Sequence, residues 1–389
     1  MTATAIYKAG TGGHETERPF SPLFTIRRSG RIEVTVYGMV SVVTGLAPER
    51  NQSQNQDQNQ GRSSQALPCT HLMATGDTNF ELWSRSLLKP WQLLTNFAIL
   101  KKHYSALNDE HFALFMASHS AEAGHIKVLE EILAITGVDE NLLKCPPATP
   151  VDASMRERMK ERGEKPRRRY HNCSGKHSAF LATVKASVGA DKMPDYLRES
   201  EAHNLRLRNI LTTMTGRDDS TFVATTDGCQ LPNYALSVSE LSYFYMTLLN
   251  NLTLQQSALE GNPLFEPYSQ LGALMLKNPR MVSGQGRLDY KIMTREIFAD
   301  APPMVAKEGA DGLLGIGIAP SELYPNGVGI TIKLSSGFDT HHMELISREI
   351  LTALGLTAPL AKQENKGAES GIRTDHIQTE FHFLDGFRR

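Results

Sequence analysis

The sequence predicts an α+β protein in which one sheet is built from distant parts of the chain. Runs that alternate apolar and polar residues lie near both ends of the 389 residues, and runs with helical spacing lie between them. Strands at the two ends can satisfy their backbone groups by pairing with each other, with the helices packed around them. No internal repeat period is visible, so a repeat architecture is not expected.

The composition is that of a soluble globular protein, with 40% hydrophobic and 21% charged residues. This length allows one large core or two joined lobes. A formal net charge of −1 leaves no excess of lysine and arginine to bind nucleic acid or a membrane surface. No apolar run approaches the ~20 residues that cross a bilayer, and the first residues lack the apolar core of a signal peptide. We therefore expect a cytoplasmic protein.

The N-terminal part is predicted to contain a loose arm and the first strands of the sheet. Residues 1–22 form the predicted arm, and residues 23–389 a single domain. Two alternating runs flank a Ser-Gly turn signal at residues 29–30. The Asn/Gln-rich tract at 46–66 has nothing to bury, so it is predicted to be a disordered insert. A returning strand is predicted over residues 71–82.

Helices dominate the middle of the chain. After Pro90, apolar residues recur at intervals of three and four, which predicts a helix. Further helices are predicted over residues 109–120, over 126–135, and over 155–162 within a proline-rich, basic excursion. The remaining predicted elements, in chain order, are a helix through Phe180, a strand at 222–225, helices at 236–250 and 267–277, strands at 313–318 and 328–334, a helix at 341–354 and a closing strand at 372–383.

A serine and a lysine three residues apart mark the start of the first helix. Ser86 and Lys89 would lie on the same helical face, and Pro90 suits an early helical turn. A serine hydroxyl becomes a nucleophile when a neighbouring base removes its proton, and a lysine can do so once its pKa is lowered. Pairs of this spacing serve acyl-transfer enzymes such as β-lactamases. The spacing alone is weakly specific, because it also occurs on ordinary helix surfaces.

A second serine and a second lysine fit the same chemistry. Ser118 follows a predicted helix, where its hydroxyl could equally cap a turn. The sequence at Lys307, Glu308 and Gly309 resembles the K-T-G element that serine–lysine acyl enzymes place on a strand facing the nucleophile. No S-D-N element accompanies it, so the β-lactamase pattern is incomplete.

Two thiols stand out among the four cysteines, which are too scattered for a disulfide framework. Cys173 precedes Lys176 by three residues and His177 by four, so either nitrogen could meet it on one helical face. Cys229 follows Asp227 at the end of a predicted strand. Two thiolates and one nitrogen donor would leave a fourth position open on an exchangeable zinc ion. Spacing alone does not choose between the lysine and the histidine, and imidazole is the more usual ligand.

Taken together and in order, these blocks resemble the L-asparaginase II family of bacteria and fungi. The resemblance runs from about residue 23 to 373. The matching stretches are Arg85-Ser86-Leu87-Leu88-Lys89-Pro90, Ala117-Ser118-His119-Ser120, Asn172-Cys173-Ser174-Gly175-Lys176-His177, Asp227-Gly228-Cys229-Gln230-Leu231-Pro232, Gly284-Gln285-Gly286-Arg287 and Val305-Ala306-Lys307.

The resemblance implies an amidohydrolase with a serine β-lactamase-like or glutaminase-like fold, in which helices pack around a mainly antiparallel central sheet. It implies that Ser86 is the nucleophile, assisted by Lys89, and that Ser118 and Lys307 form a second pair beside it. The expected reaction is the hydrolysis of L-asparagine to aspartate and ammonia. A homodimer is also implied.

The resemblance further implies one Zn²⁺ per subunit. It favours Lys176 over His177 as the nitrogen ligand, beside the two thiols named above. We assign substrate binding to four residues around these groups: Arg85, Asp227, His177 and Arg287. The family's early E-S-x-H-x-G motif reads Glu33-Val34-Thr35-Val36-Tyr37-Gly38 here, so valines replace its serine and histidine.

Two rival functions remain open at this point. The first is a glutaminase or another amidase of small amides, which ammonia release from asparagine and from glutamine would distinguish. The second is a non-catalytic, zinc-dependent ligand-binding protein, which would show no turnover with its metal removed or restored.

Overall fold

A computed structural model describes residues 19–46, 67–197, 202–250, 268–359 and 377–384. Most of the predicted N-terminal arm and nearly all of the predicted insert lie outside these residues. The strands in the described chain are β1 (Ser21–Arg28), β2 (Arg31–Gly45), β3 (Cys69–Thr75), β4 (Glu81–Trp83), β5 (Ala224–Thr226), β6 (Pro232–Ser237), β7 (Met304–Gly309), β8 (Leu313–Ile318), β9 (Val328–Leu334) and β10 (Ile377–Phe381).

Helices fill most of the chain between β4 and β7. In the described residues they are α1 (Lys89–His103), α2 (Asp109–Phe115), α3 (Ala123–Thr136), α4 (Ala153–Glu161), α5 (Ser174–Ser187), α6 (Ala202–Thr215), α7 (Val238–Thr247), α8 (Tyr268–Lys277), α9 (Pro279–Val282), α10 (Leu288–Met293) and α11 (Thr340–Ala353). None of them is both long enough and apolar enough to span a bilayer, as far as the described residues go.

The main sheet joins the two ends of the chain. Its strand order is β10-β1-β2-β9-β8-β7, and β3 pairs with the second half of the long strand β2. All of these pairs are antiparallel. Strands β4, β6 and β5 form a separate small sheet. The prediction of an α+β fold with a composite, mainly antiparallel sheet is therefore confirmed.

Helix α7 packs unusually close to this sheet. A Cβ atom on Gly329 of β9 would come within 1.9 Å of the carbonyl oxygen of Ser242, and one on Gly317 of β8 within 2.2 Å of that of Tyr245. The absent side chains let the helix backbone approach the strands directly. This approach also brings the Tyr245 ring under the segment that precedes α1, where its hydroxyl donates to the carbonyl oxygen of Leu87 (3.1 Å).

Two sequence predictions need correction. The returning strand predicted at 71–82 is two strands in different sheets, because the chain turns at Gly76 with a φ of +70°. The helix predicted over 109–120 ends at Phe115, and the residues after it bond to other parts of the chain: the Ser118 amide donates to the carbonyl oxygen of Val282 (3.0 Å). Helix α6 was not predicted.

The stretch that departs from the family motif lies on β2. Val36 is buried there and Val34 is more than a third exposed, so the two valines behave as ordinary residues of a strand. Glu33 pairs with Arg28 across the hairpin.

Candidate active site

The segment that carries Ser86 is a short 3₁₀ turn, Arg85–Leu88, wedged between the small sheet and β7. Arg85 has a φ of +49°, a left-handed conformation that is costly for a residue with a side chain. The side-chain oxygen of Asn233 accepts from the Arg85 amide (3.0 Å) and from the Ser84 hydroxyl (3.2 Å). The backbone on both sides of Ser86 is therefore held by hydrogen bonds from β6 and α7.

Ser86 itself is half-buried. Within the described residues its hydroxyl has no hydrogen-bond partner, so the oxygen is not tied to a structural role there. The predicted serine–lysine pair is not joined by a hydrogen bond among these residues, because Lys89 turns its ammonium elsewhere.

Lys89 is the first residue of α1 and is fully buried. Its Nζ donates to the carbonyl oxygen of Ala117 (2.6 Å) and to the Ser118 hydroxyl (2.8 Å). Burial is the main cause that lowers the pKa of Lys89, since the charged form loses its hydration. The structure therefore brings together Lys89 and Ser118, the lysine of the first predicted pair and the serine of the second.

Lys307 lies on β7 and is also fully buried. Burial lowers its pKa to about 7, although the carboxylate of Asp289 opposes that change. The charge of Lys89 lowers the pKa of Lys307 further. In the described chain, Lys307 Nζ has no hydrogen-bond partner and stands 3.7 Å from Asp289 Oδ2. An amine with these properties can exchange a proton near neutral pH.

Arg287 connects Glu308, the residue after this lysine, to the second serine. Its Nη1 donates to the carbonyl oxygen of Ser118 (2.6 Å), and its Nε donates to Glu308 Oε2 (3.1 Å). Its Nη2 also contacts Glu308. The guanidinium thus has protein partners on both of its sides, and its predicted role in substrate binding stays a prediction.

Asp289, in α10, is the site residue that sequence reasoning missed. It is fully buried and lies against Lys307. A single aspartate in a short apolar stretch carries no motif, and the one available signal was its position two residues after the Gly-Gln-Gly-Arg block.

The two predicted zinc-binding thiols do converge. Lys176 Nζ donates to Cys229 Sγ (3.3 Å), and Cys229 Sγ lies 3.5 Å from Asp227 Oδ2. A hydrogen bond with Cys229 lowers the pKa of Cys173 well below its ordinary value. Burial alone would lower the pKa of Lys176, but the charges of the two thiols outweigh it and raise that pKa. The cluster acts on Lys89 through charge, because Cys173 and Cys229 raise the pKa of Lys89 while Lys176 lowers it.

The donor set fits a zinc ion by its chemistry. Two buried thiols and one amine meet at this point, and these atoms become ligands when their protons are lost. His177 lies apart from the thiol contact: the hydroxyl of Tyr196 bonds to its Nδ1 (2.7 Å). The described residues contain no group of three or more His, Cys, Asp or Glu side chains that could hold a metal. A zinc site here therefore needs the Lys176 amine as a ligand.

Arg85 and Asp227 form an ion pair beside the thiols, with Nε and Oδ1 2.8 Å apart. The same guanidinium contacts Asp311 in the turn between β7 and β8. A cleft of about 360 Å³ opens along this turn and is lined by Arg85, Asp311, Trp83 and other residues. Arg85 therefore lies where the thiol cluster, the Ser86 turn and the surface cleft meet.

Among solved structures, the chain is similar to glutaminases of Bacillus. A probable glutaminase from Bacillus subtilis complexed with 6-diazo-5-oxo-L-norleucine is 13% identical, with a TM-score of 0.36 over 83% of this chain and 86% of that chain. A Bacillus glutaminase in 4.3 M NaCl is 14% identical, with a TM-score of 0.32 over 83% and 92% of the chains. A Bacillus subtilis glutaminase in covalent complex with 5-oxo-L-norleucine is 14% identical, with a TM-score of 0.34 over 83% and 89%. Likeness at this level carries no argument about activity.

No curated protein is significantly similar to the chain. The sequence profile of the family described as L-asparaginase II, in contrast, matches residues 69–379. That span contains every predicted site residue, from Arg85 on the 3₁₀ turn to Lys307 on β7. The chain therefore belongs to the L-asparaginase II family, and it is an amidohydrolase.

Proposed function

We propose that this amidohydrolase converts L-asparagine to L-aspartate and ammonia through an acyl-enzyme on Ser86. The observation that carries the proposal is the arrangement of buried amines next to hydroxyls. Lys89, three residues after Ser86, donates to the Ser118 hydroxyl (2.8 Å). Lys307 is a second buried amine, with a pKa of about 7. Such amines can take up and return protons at neutral pH.

The proposed reaction acylates Ser86 and then hydrolyses the resulting ester. The Ser86 oxygen attacks the side-chain carbonyl carbon of asparagine as its proton passes to neutral Lys89. The carbon–nitrogen bond then breaks, and the leaving group takes a proton relayed through Ser118 or Lys307 to depart as ammonia. Water then attacks the ester carbonyl carbon as one of its protons passes to a neutral amine. The bond from that carbon to the Ser86 oxygen breaks, Ser86 regains a proton from the amine, and aspartate leaves.

Arg85 and Asp227 are proposed to bind the charged groups of the substrate. An arginine suits the α-carboxylate, because its planar donors match the two oxygens. A carboxylate suits the α-ammonium. The two side chains already lie 2.8 Å apart, so substrate would exchange one ion pair for two. His177 is included in the same proposal because its Nε2 is buried without a partner in the described chain.

Cys173, Lys176 and Cys229 are proposed to hold one Zn²⁺. When bound, the ion supplies positive charge beside Lys89 and so favours the neutral form of that amine. Lys176 would bind as the free amine, so zinc binding would release its proton together with those of the thiols. In the metal-free site the charges of the two thiols raise the pKa of Lys176 and oppose that release. The homodimer implied by the family resemblance and the cytoplasmic location expected from the sequence stay predictions.

The deciding experiment compares wild type with Ser86→Ala and Ser118→Ala. Ammonia release is measured with L-asparagine and with L-glutamine at equal concentrations, and the acyl-enzyme is trapped and located by peptide mass analysis. We expect Ser86→Ala to lose turnover by orders of magnitude and to show no acylation. Acylation of Ser118, or more than a tenth of the wild-type rate in Ser86→Ala, would move the nucleophile to Ser118. Faster ammonia release from glutamine than from asparagine would show that the protein is a glutaminase instead of an asparaginase.

A further inference from the structure

Asp289 is a buried carboxylate whose oxygens are held from several sides. Its Oδ1 accepts from the Ser283 hydroxyl and from the Tyr290 amide (3.0 Å). Its Oδ2 accepts from the Glu308 amide (3.1 Å). These donors come from the α9–α10 connection, from α10 and from β7, so the carboxylate is fixed relative to three parts of the fold. A buried carboxylate with such support is rigid and remains ionised.

The free side of this carboxylate faces Lys307. The distance from Oδ2 to Nζ is 3.7 Å, longer than a hydrogen bond, and both side chains are fully buried. Strand β7 would otherwise let the four-carbon lysine side chain adopt several rotamers. The fixed negative charge of Asp289 favours the Lys307 rotamer that brings Nζ close to it. Within the described residues, no hydrogen bond of Nζ competes with this attraction.

The other charged groups around Lys307 are accounted for. Lys89 acts from α1, Arg287 from the residue before α10, and Glu308 from β7 itself. Strand β8, which pairs with β7 on the other side, has no ionisable side chain over residues 313–318. Arg287 pairs with Glu308, and its Nε also lies 3.9 Å from Asp289 Oδ1, whereas Lys307 faces Oδ2. Asp289 is therefore the anion that acts most strongly on the lysine.

We propose that Asp289 is a positioning residue that holds the Lys307 amino group towards Ser118 and Ser86. This inference rests on the proposed function, and it assigns a role to a residue outside the serines, lysines and thiols. Asp289 does not meet the substrate in this role. It fixes where the lysine proton is held and at which pH it is released.

Asp289→Asn separates this role from a merely structural one. The amide keeps the shape of the side chain but removes the charge that favours protonated Lys307. Removing an opposite charge at this distance is expected to lower the titration midpoint of Lys307 by about one to three pH units. The pH limb of kcat/KM that reports Lys307 should move to lower pH by the same amount, and kcat should fall at least about tenfold because the amine is less well placed.

The midpoint is measured directly by NMR on protein labelled with [ε-¹³C]lysine, with the Lys307 signal identified by its loss in Lys307→Met. This readout needs no turnover, so it stays valid if the proposed reaction is wrong. The matched control is Glu240→Gln, which neutralises a buried carboxylate on α7 that pairs with Arg217. The control is expected to lower the melting temperature and to leave the Lys307 midpoint unchanged.

An unchanged Lys307 midpoint in folded Asp289→Asn would overturn the inference. If that variant does not fold, Ser283→Ala tests the same idea, because it removes one support of the carboxylate and keeps its charge. We expect Ser283→Ala to lower kcat several-fold with little change in KM. Wild-type kinetics in Ser283→Ala would then refute the positioning role. A shifted midpoint without any amidase activity would support the inference and reject the proposed function.

Discussion

The Ser86 turn depends on one side-chain oxygen, that of Asn233. This oxygen accepts from the amide of Arg85 and from the hydroxyl of Ser84, and the residue is buried. Arg85 occupies a left-handed conformation that costs roughly 1–2 kcal/mol for a residue with a Cβ. Asn233→Ala leaves the Arg85 amide without its acceptor. It also removes a hydrogen bond that holds the Arg85 backbone in this conformation.

The expected loss of stability follows from the two hydrogen bonds that the Asn233 oxygen accepts. Loss of the acceptor for a partly buried amide costs about 1–3 kcal/mol, and loss of the Ser84 bond about 1 kcal/mol more. We expect Asn233→Ala to lower the free energy of unfolding by about 2–4 kcal/mol. If Arg85 relaxes, Ser86 moves by a sizeable fraction of an ångström, and a displacement of about 1 Å costs on the order of 100-fold in rate.

A graded set of variants makes the assay specific. Ser84→Ala loses one of the two bonds and should cost about 1 kcal/mol with little effect on kcat. Asn233→Asp keeps an acceptor for both donors and should retain at least tenfold more activity than Asn233→Ala. Denaturant unfolding and steady-state ammonia release give the two measurements. If Asn233→Ala keeps half of the wild-type kcat, the view that this oxygen positions the nucleophile is refuted.

Four further outcomes are expected. Deleting residues 50–60 should change the melting temperature and the activity little. Strands β2 and β3 already hold the flanking ends together, and long loops cost little to close. A clear loss of stability in the deletion variant would contradict this prediction. Gly329→Ala should destabilise by about 1–3 kcal/mol through its clash with α7, whereas Gly124→Ala, which meets only ordinary contact in α3, should be neutral or stabilising. The free energy of unfolding of wild type should rise between pH 7 and pH 10.5, because the unfolded chain binds a proton at Lys307 that the folded chain has released, and Lys307→Met should lack this part of the rise. Cys229→Ser should lose zinc by metal analysis and raise KM more than it lowers kcat; wild type without zinc would reject the ligand assignment.

Much of the fold could be predicted because it depends on periodicity. Helices α3 and α8 and strand β9 follow local patterns of apolar residues and lie close to the predicted positions. The prediction ran one strand through Gly76 although residues 75–79 carry no apolar side chain. A φ of +70° and the close approach of the Pro19 carbonyl oxygen both require glycine there, and no apolar pattern reports either one.

The site was predictable in its residues and unpredictable in its pairings. Motifs indicated both serines and both lysines, but the hydrogen bond from Lys89 to Ser118 depends on where residues 117–120 run, and tertiary contacts with α9 decide that. Asp289 carries no motif at all. Its importance comes from burial against Lys307, which no local pattern reports.

The branched strand β2 has a consequence for how the protein is made. Thr44 on β2 bonds to Gly327, 283 positions later, so β2 must wait for most of the chain before it gains its neighbour β9. Sheets closed by such distant pairings fold slowly, and an unpaired β2 edge emerging from the ribosome is open to association with other chains. Lys307 is also synthesised long after Ser86, so a nascent chain carries the proposed nucleophile without the second proposed amine. If Lys307 acts as proposed, amide hydrolysis begins only once β7 to β9 have emerged and closed the sheet. Yield in the cell should then respond to chaperones and lower growth temperature.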